Sequence, residues 1–312
     1  MAASITLAHL SDVHLSPIEG FTLPYWNLKR GLGYLNWRRG RIAVHQRRVA
    51  EQIAADIRAQ APDHIAVTGD LANLGLPAEY VAARVWLEAL GPADRVSVVP
   101  GNHDIYTGRL YGASCLTEWA PFMASDGFGL EHGGVRDGFP YVRRAGDVAL
   151  IGVNSAVPAP PFVAAGRVGA AQLDALAVIL ERLRGAGLAR VVMIHHPPLP
   201  GQAPTMRALE DALALKTVLE QQGADLVLHG HNHTQTQVWV PSANGSAAVC
   251  GAASASAAIA HHDEPLARYY LYRFEPYSEG AARPAIQCIT RGLGHEDGDV
   301  VELDRIHLTP PS

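Results

Sequence analysis

Val98-Val99-Pro100-Gly101-Asn102-His103-Asp104 decides how the rest of the chain is read. The short β-branched run from Val96 to Val99 has the composition of a buried strand. Pro100-Gly101 ends it in a sharp turn. The turn then presents an amide, an imidazole and a carboxylate side by side. An amide oxygen suits a hard or borderline metal ion, and an imidazole suits a metal or a proton transfer. Alone, the stretch reads equally well as an Asn/Asp-rich turn with an incidental histidine. Four further strand ends of the same design change that balance.

Working outward, Ile5 to Leu10 reads as a strand followed by Asp12 and His14. Two residues apart in an extended segment, these side chains point the same way. His64 to Val67 is a strand that ends in Gly69-Asp70. Arg190 to Ile194 leads into His195-His196-Pro197-Pro198, where the prolines stop any ladder or helix and hold the imidazoles in a loop. Asp225 to Leu228 leads into Gly230-His231-Asn232-His233, repeating the spacing of Asp12 and His14. Helices fall between the strands. One runs from about 44 to 60, with Val49, Ile53 and Ile57 every fourth residue and Pro62 after it; others cover 77–90, 170–184 and 209–222. From Thr234 onward the pattern is antiparallel β, with a hairpin at Asn244-Gly245 and strands at 268–274 and 285–290. No linker or repeat marks a boundary. The expectation is one α/β domain over 1–312, with a β-rich part from about 234.

Composition narrows the class. The 312 residues are 48% hydrophobic with 30 glycines and 21 prolines, as in a globular enzyme with many turns. No apolar run approaches the roughly 20 residues that span a bilayer. Met1-Ala2-Ala3-Ser4 leads straight into Ile5-Thr6-Leu7 without the basic start and apolar core of a signal peptide, so a cytoplasmic location is expected. Three widely spaced cysteines exclude a disulfide framework and a thiolate zinc site. A net charge of −5 argues against nucleic acid as partner.

One segment breaks the pattern. Residues 21–50 carry Lys29, Arg30, Arg38, Arg39, Arg41, Arg47 and Arg48 and no acidic residue, with Phe21, Tyr25, Trp26, Tyr34 and Trp37 interleaved. Three readings stand for this insert, whose core is about 21–48: an amphipathic helix pair lying over the site, a basic lip that attracts anionic substrates, or a peripheral membrane contact. Homo-oligomerisation is left open.

The strand-end residues Asp12, His14, Asp70, Asn102, His195, His231 and His233 supply three oxygens and four imidazoles. Seven ligands exceed what one catalytic ion takes while keeping a position open. They suit two ions, about 3.5–4 Å apart, that share a carboxylate and clamp a phosphoryl group. Oxygen and nitrogen ligation admits Mn, Fe or Zn.

D-x-H, G-D, G-N-H-D, H-H-P-P and G-H-x-H, in this order, resemble the calcineurin-like metallophosphoesterase superfamily, over about 70% of the chain. Within it the sequence looks most like the bacterial class III cyclic-nucleotide phosphodiesterases. The resemblance implies a four-layer α/β/β/α sandwich of two mixed sheets, with the site at the strand C-terminal ends. It implies that Asp12, His14 and His233 hold one ion, that Asn102, His195 and His231 hold the other, and that Asp70 bridges. His103 becomes the general acid that contacts the phosphate, Asp104 orients its ring and favours the imidazolium, and Asn102 and His196 join His103 at the substrate, His196 behind the ligand pair or at its rim. The implied activity is hydrolysis of a small phosphodiester, such as a cyclic nucleotide, by metal-activated hydroxide. The alternatives are a lipid-linked pyrophosphate or phosphoester, in the manner of the UDP-diacylglucosamine pyrophosphatases of the same superfamily, a phosphomonoester, a nucleic acid, or a scaffold without turnover.

Overall fold

The computed structural model describes residues 4–107, 114–126, 137–275 and 284–310. All residues considered for the site lie among them. Twelve strands form two six-stranded sheets. The first has the order β12 (Val300–His307), β11 (Ile286–Leu293), β10 (Arg268–Phe274), β1 (Ile5–Leu10), β2 (His64–Val67), β3 (Val96–Val98). The second has the order β4 (Tyr141–Ala145), β5 (Val148–Gly152), β6 (Ala189–Met193), β7 (Leu226–His229), β9 (Gly245–Gly251), β8 (Thr236–Ser242). β1, β2 and β3 run parallel, as do β5, β6, β7 and β9, while the outer strands are antiparallel.

Side-chain alternation explains the layering. In β6, Val191 and Met193 face the first sheet while Val192 faces the helices; in β7, Leu226 and Leu228 do the former and Val227 the latter. A strand buried on both faces needs such an unbroken apolar run. The helices are α1 (Leu28–Asn36), α2 (Ile42–Val44), α3 (Arg47–Gln60), α4 (Pro77–Leu90), α5 (Cys115–Glu118), α6 (Ala170–Gly185) and α7 (Ala212–Gln222). α3 buries Val49, Ile53 and Ile57 and stops where Ala61 turns left-handed before Pro62. α6 and α7 bury Leu176, Leu180, Leu183, Leu215 and Leu219 against the outer face of the second sheet. The result is the expected pair of mixed sheets between helical layers.

The insert folds as α1, a π-helical turn over Trp37–Arg41, and α2. Asn27 caps α1 by accepting from the Arg30 amide at 2.9 Å. The segment docks through Phe21, Tyr25 and Tyr34 on a small cluster of Leu74, Leu76 and Tyr106. Gly33 makes this close approach possible, because a Cβ there would lie 2.5 Å from the Tyr106 hydroxyl.

Candidate metal centre

Five of the parallel strands hand the residues that follow them to one site. β1 delivers Asp12 and His14, β2 delivers Asp70, β3 delivers Asn102 to Asp104, β6 delivers His195 and β7 delivers His231 and His233. The two-residue spacing does not work as in a strand. Asp12, His14, Asp70, His231 and His233 all have left-handed backbones, with φ of 55°, 42°, 56°, 72° and 56°. Their side chains converge because the chain turns at each of them, at a cost of about 1–2 kcal/mol per non-glycine residue. Neighbouring loops hold the turns: Asp12 N donates to Gly69 O at 3.0 Å and His14 N to Asp70 O at 2.9 Å. His231 N donates to Asp12 Oδ2 at 3.0 Å. Gly69 must be glycine, since its φ is +89° and a Cβ would meet the Gly101 nitrogen at 2.5 Å.

Two buried three-residue clusters result: Asp12 with His14 and His233, and Asp70 with His195 and His231. Asp70 Oδ2 lies between them, 3.4 Å from His195 Nε2 and 3.9 Å from His14 Nε2. Asn102 Oδ1 is 3.1 Å from His195 Nε2 and 2.9 Å from His231 Nδ1.

The ring tautomers show what these clusters lack. His14 Nδ1 faces the Ala72 carbonyl, His195 Nδ1 the Thr68 carbonyl and His233 Nδ1 the Glu264 carboxylate, at 3.2, 2.7 and 3.0 Å. These partners only accept, so each Nδ1 carries the proton and each Nε2 turns a lone pair inward. His14 Nε2 then meets His233 Nε2 at 3.3 Å, and His195 Nε2 meets His231 Nδ1 at 3.2 Å. The facing lone pairs of His14 and His233, beside the carboxylates of Asp12 and Asp70, call for a positive charge. Protons answer that need in the bare protein. Burial pulls His195 and His233 down, but Asp70 and Asp12 outweigh it and lift each to about 9. A metal cation in each cluster would replace that proton, and the oxygen and nitrogen donor set fits one.

Two expected roles are corrected. Asp104 does not orient His103. Its carboxylate accepts from the amides of Asp70, Ala72 and Gly101 at 2.8, 2.9 and 2.8 Å, and so ties the β2 loop to the β3 loop. His103 Nδ1 instead donates to Asn73 O at 2.6 Å, and burial holds its pKa down to about 4, so the ring is neutral at pH 7 rather than an imidazolium. His196 does not reach the substrate side. It is fully buried, with Nδ1 on Ser155 Oγ at 2.8 Å and Nε2 on Ala164 O at 3.1 Å. Its ring packs 4.6 Å from the His231 ring and 5.1 Å from the His195 ring, behind the ligand pair.

Other residues enter the site from elements that carried no motif. Arg41 reaches in from the π-helical turn, with Nη2 3.0 Å from His14 Nε2 and Nη1 3.2 Å from His103 Nε2. His45 holds Ser256 Oγ with Nδ1 at 2.9 Å and packs 4.7 Å from the His14 ring. Glu264 supports His233, and Arg207 donates to His231 O at 2.9 Å. The signal for Glu264 was the neighbouring His261-His262-Asp263 run, which is exposed. Above the clusters a cavity of about 700 Å³ opens, lined among others by Arg39, Arg41, His103, Arg207 and Ile259.

A sheet sandwich with two such clusters at its strand ends carries the donor groups for two metal ions. The model of calcineurin-like phosphoesterases matches residues 5–235, and the chain belongs to that family. The chain is 29% identical over 191 residues to a "Probable cyclic nucleotide phosphodiesterase" of Synechococcus sp., covering 59% of this chain and 63% of that one. It is 33% identical over 181 residues to a cAMP/cGMP dual specificity phosphodiesterase of Mycobacterium tuberculosis, covering 56% and 50%. The matches therefore span only half to two thirds of those proteins. Its fold is similar to a dimetal phosphatase from Danio rerio, with a TM-score of 0.62 at 13% identity over 98% of this chain and 99% of that one. It is also similar to purple acid phosphatase PPD1 from yellow lupin, with a TM-score of 0.56 at 14% identity over 98% and 54%. Among the described residues, no helix is long and apolar enough to cross a membrane.

Proposed function

We propose that the chain is a dinuclear phosphodiesterase acting on small diesters, cyclic nucleotides among them. The observation that carries this reading is the pair of donor clusters that Asp70 separates, set under a cavity whose walls bear Arg41 and His103. Asp12, His14 and His233 would hold one ion, and Asn102, His195 and His231 the other, with Asp70 shared. Bound cations there supply Lewis acidity towards a phosphoryl oxygen and lower the pKa of water from about 15.7 towards 7.

The remaining work belongs to side chains of this protein. Arg41 now rests on two imidazole lone pairs. With the clusters loaded, the Arg41 guanidinium would meet the phosphoryl oxygens of the ester, where its paired N–H groups would form charge-assisted bonds. Asn73 O fixes the proton of His103 on Nδ1, so Nε2 is the atom that exchanges a proton with the leaving oxygen. An anionic ester beside Nε2 raises its affinity for that proton from the low value burial imposes. Glu264 and the Thr68 and Ala72 carbonyls keep the ligand rings in one tautomer. The diester preference rests on the two phosphodiesterase relatives. Hydrolysis of matched aryl phosphodiester and monoester by the Mn²⁺-loaded protein tests it: the diester should be preferred and a cyclic-nucleotide panel turned over. Preference for the monoester would replace this reading with a phosphatase.

A further inference from the structure

The insert differs from the other described helices in which side carries its charges. Its inward side carries cations. Arg30 is buried and donates to the Leu74 and Gly75 carbonyls at 3.0 and 3.1 Å, Lys29 donates to the Tyr106 and Ala159 carbonyls at 2.8 Å each, and Arg41 enters the metal centre. Its outward side carries aliphatics. Leu28, Leu35 and Ile42 recur at seven-residue intervals and are 62, 50 and 43% exposed, and before the helix Leu23 and Trp26 are 90 and 61% exposed. Five of the fifteen large exposed hydrophobic residues among the described ones thus fall within twenty positions. A shallow groove lined by Phe21, Leu23, Pro24 and Trp26 continues the patch. Tight docking through Gly33 and Arg30 prevents the helix from simply rolling these groups inward.

The charges beside the patch say what covers it. Arg47 pairs with Glu51 and Arg48 with Asp297. Arg38 and Arg39 are exposed, with no hydrogen bond or ion pair among the described residues, and no acidic side chain occurs between 21 and 50. A second copy docking symmetrically would bring four unpaired arginines together. An anionic bilayer offers negative potential at the arginines and an apolar layer for the leucines and Trp26, whose ring suits the headgroup boundary.

We propose that the outer face of residues 21–44 is a docking surface for an anionic lipid bilayer. Asn36, Arg39, Gly40 and Ala43, on the same helical segment, line the cavity above the donor clusters, so a docked protein opens its site beside the headgroups. The docking surface stands without the phosphodiesterase reading. The corollary, that the ester hydrolysed stands at a lipid surface, rests on that reading.

Co-sedimentation of the full chain with phosphatidylcholine vesicles, with and without phosphatidylglycerol, tests the surface. The protein should partition onto the phosphatidylglycerol vesicles and not onto pure phosphatidylcholine. Trp26 emission should shift to the blue on binding, and Trp26→Phe should remove the shift. The triple variant Leu28→Gln/Leu35→Gln/Ile42→Gln should lose about a hundredfold in partitioning, since three aliphatic side chains no longer enter the bilayer. Arg38→Gln should lose about fivefold. Both should keep wild-type hydrolysis of a soluble aryl diester, which shows that they fold. Absence of binding to anionic vesicles overturns the proposal, as does wild-type binding by the triple variant. Conversion of a dimer to a monomer by that variant, read by light scattering, would assign the face to a second copy instead. Vesicle binding without turnover of any phosphoester would keep the surface and sink the phosphodiesterase reading.

Discussion

The strand-end loops and the insert approach the same cavity from opposite sides and are built by opposite rules. At the strand ends, polar side chains stand where apolar strands stop, and Asp12, His14, Asp70 and His231 each donate an amide hydrogen bond to the loop beside them. The chemistry is local to a few consecutive residues. In the insert, Arg30 is buried and Arg41 enters the centre while Leu28, Leu35, Arg38 and Arg39 are exposed, so its placement cannot be inferred from hydrophobicity alone. Its cations are neutralised by carbonyl oxygens and imidazole lone pairs from loops far away in sequence. The donors of the centre thus lie within a few residues of each strand end, while the insert is placed only by the loops it packs on.

The largest effect that would break this contrast is at Asp70. Asp70→Ala should empty both clusters and lower kcat/KM about 10⁴-fold, the several kcal/mol that metal ions supply. Metal analysis of the purified variant checks it, and two ions retained would show that the clusters do not share this carboxylate. Next is His103→Ala. It should keep both ions and lose about 10²–10⁴-fold in kcat on an ester with a poor leaving group, with much less lost on an activated aryl ester. Equal losses on the two esters would remove its role as proton donor.

Arg41→Ala sharpens the comparison most directly, because the residue belongs to the insert and acts in the centre. It should lower kcat/KM about 10- to 150-fold, the worth of a charged hydrogen bond. Titration calorimetry should show metal binding at least as tight as in the wild type, since a competing cation has gone. Weakened metal binding would make Arg41 a structural support instead. The smallest effect is at Glu264. Glu264→Gln should weaken metal affinity about tenfold, through loss of the anion behind His233, with the second cluster unchanged. A loss shared equally by both clusters would mean that the loop supports the whole site.

Much of this was legible in the chain before folding. Apolar runs of four to six residues marked β1, β2, β3, β6 and β7, and the helices between them showed their period through residues such as Val49, Ile53 and Ile57. Donor atoms confined to the ends of those runs pointed to two cations. Strands β4 and β12 were not legible. β4 follows the Phe139-Pro140 segment, which reads as core or rim packing, and β12 (Val300–His307) is a mostly exposed sheet edge whose residues do not alternate regularly between polar and apolar. Asp104 and His196 show why adjacency misleads. Each sits beside a site residue in sequence, but its polar atoms are taken up behind the site, those of Asp104 by backbone amides and those of His196 by Ser155 and Ala164.

The amino-acid sequence by itself determined the fold class, the order of the strand ends and the donor set for two cations. It did so because strand periodicity and metal-ligand chemistry depend on residues close together in the chain. Only the tertiary structure decided which of seven basic residues in the insert enters the centre, which tautomer each ligand ring adopts, and that the leucines of the insert face outward. Each of these depends on partners that β-sheet pairing brings from far away: Tyr106 against Gly33, Ala72 and Thr68 behind the rings, and Glu264 behind His233.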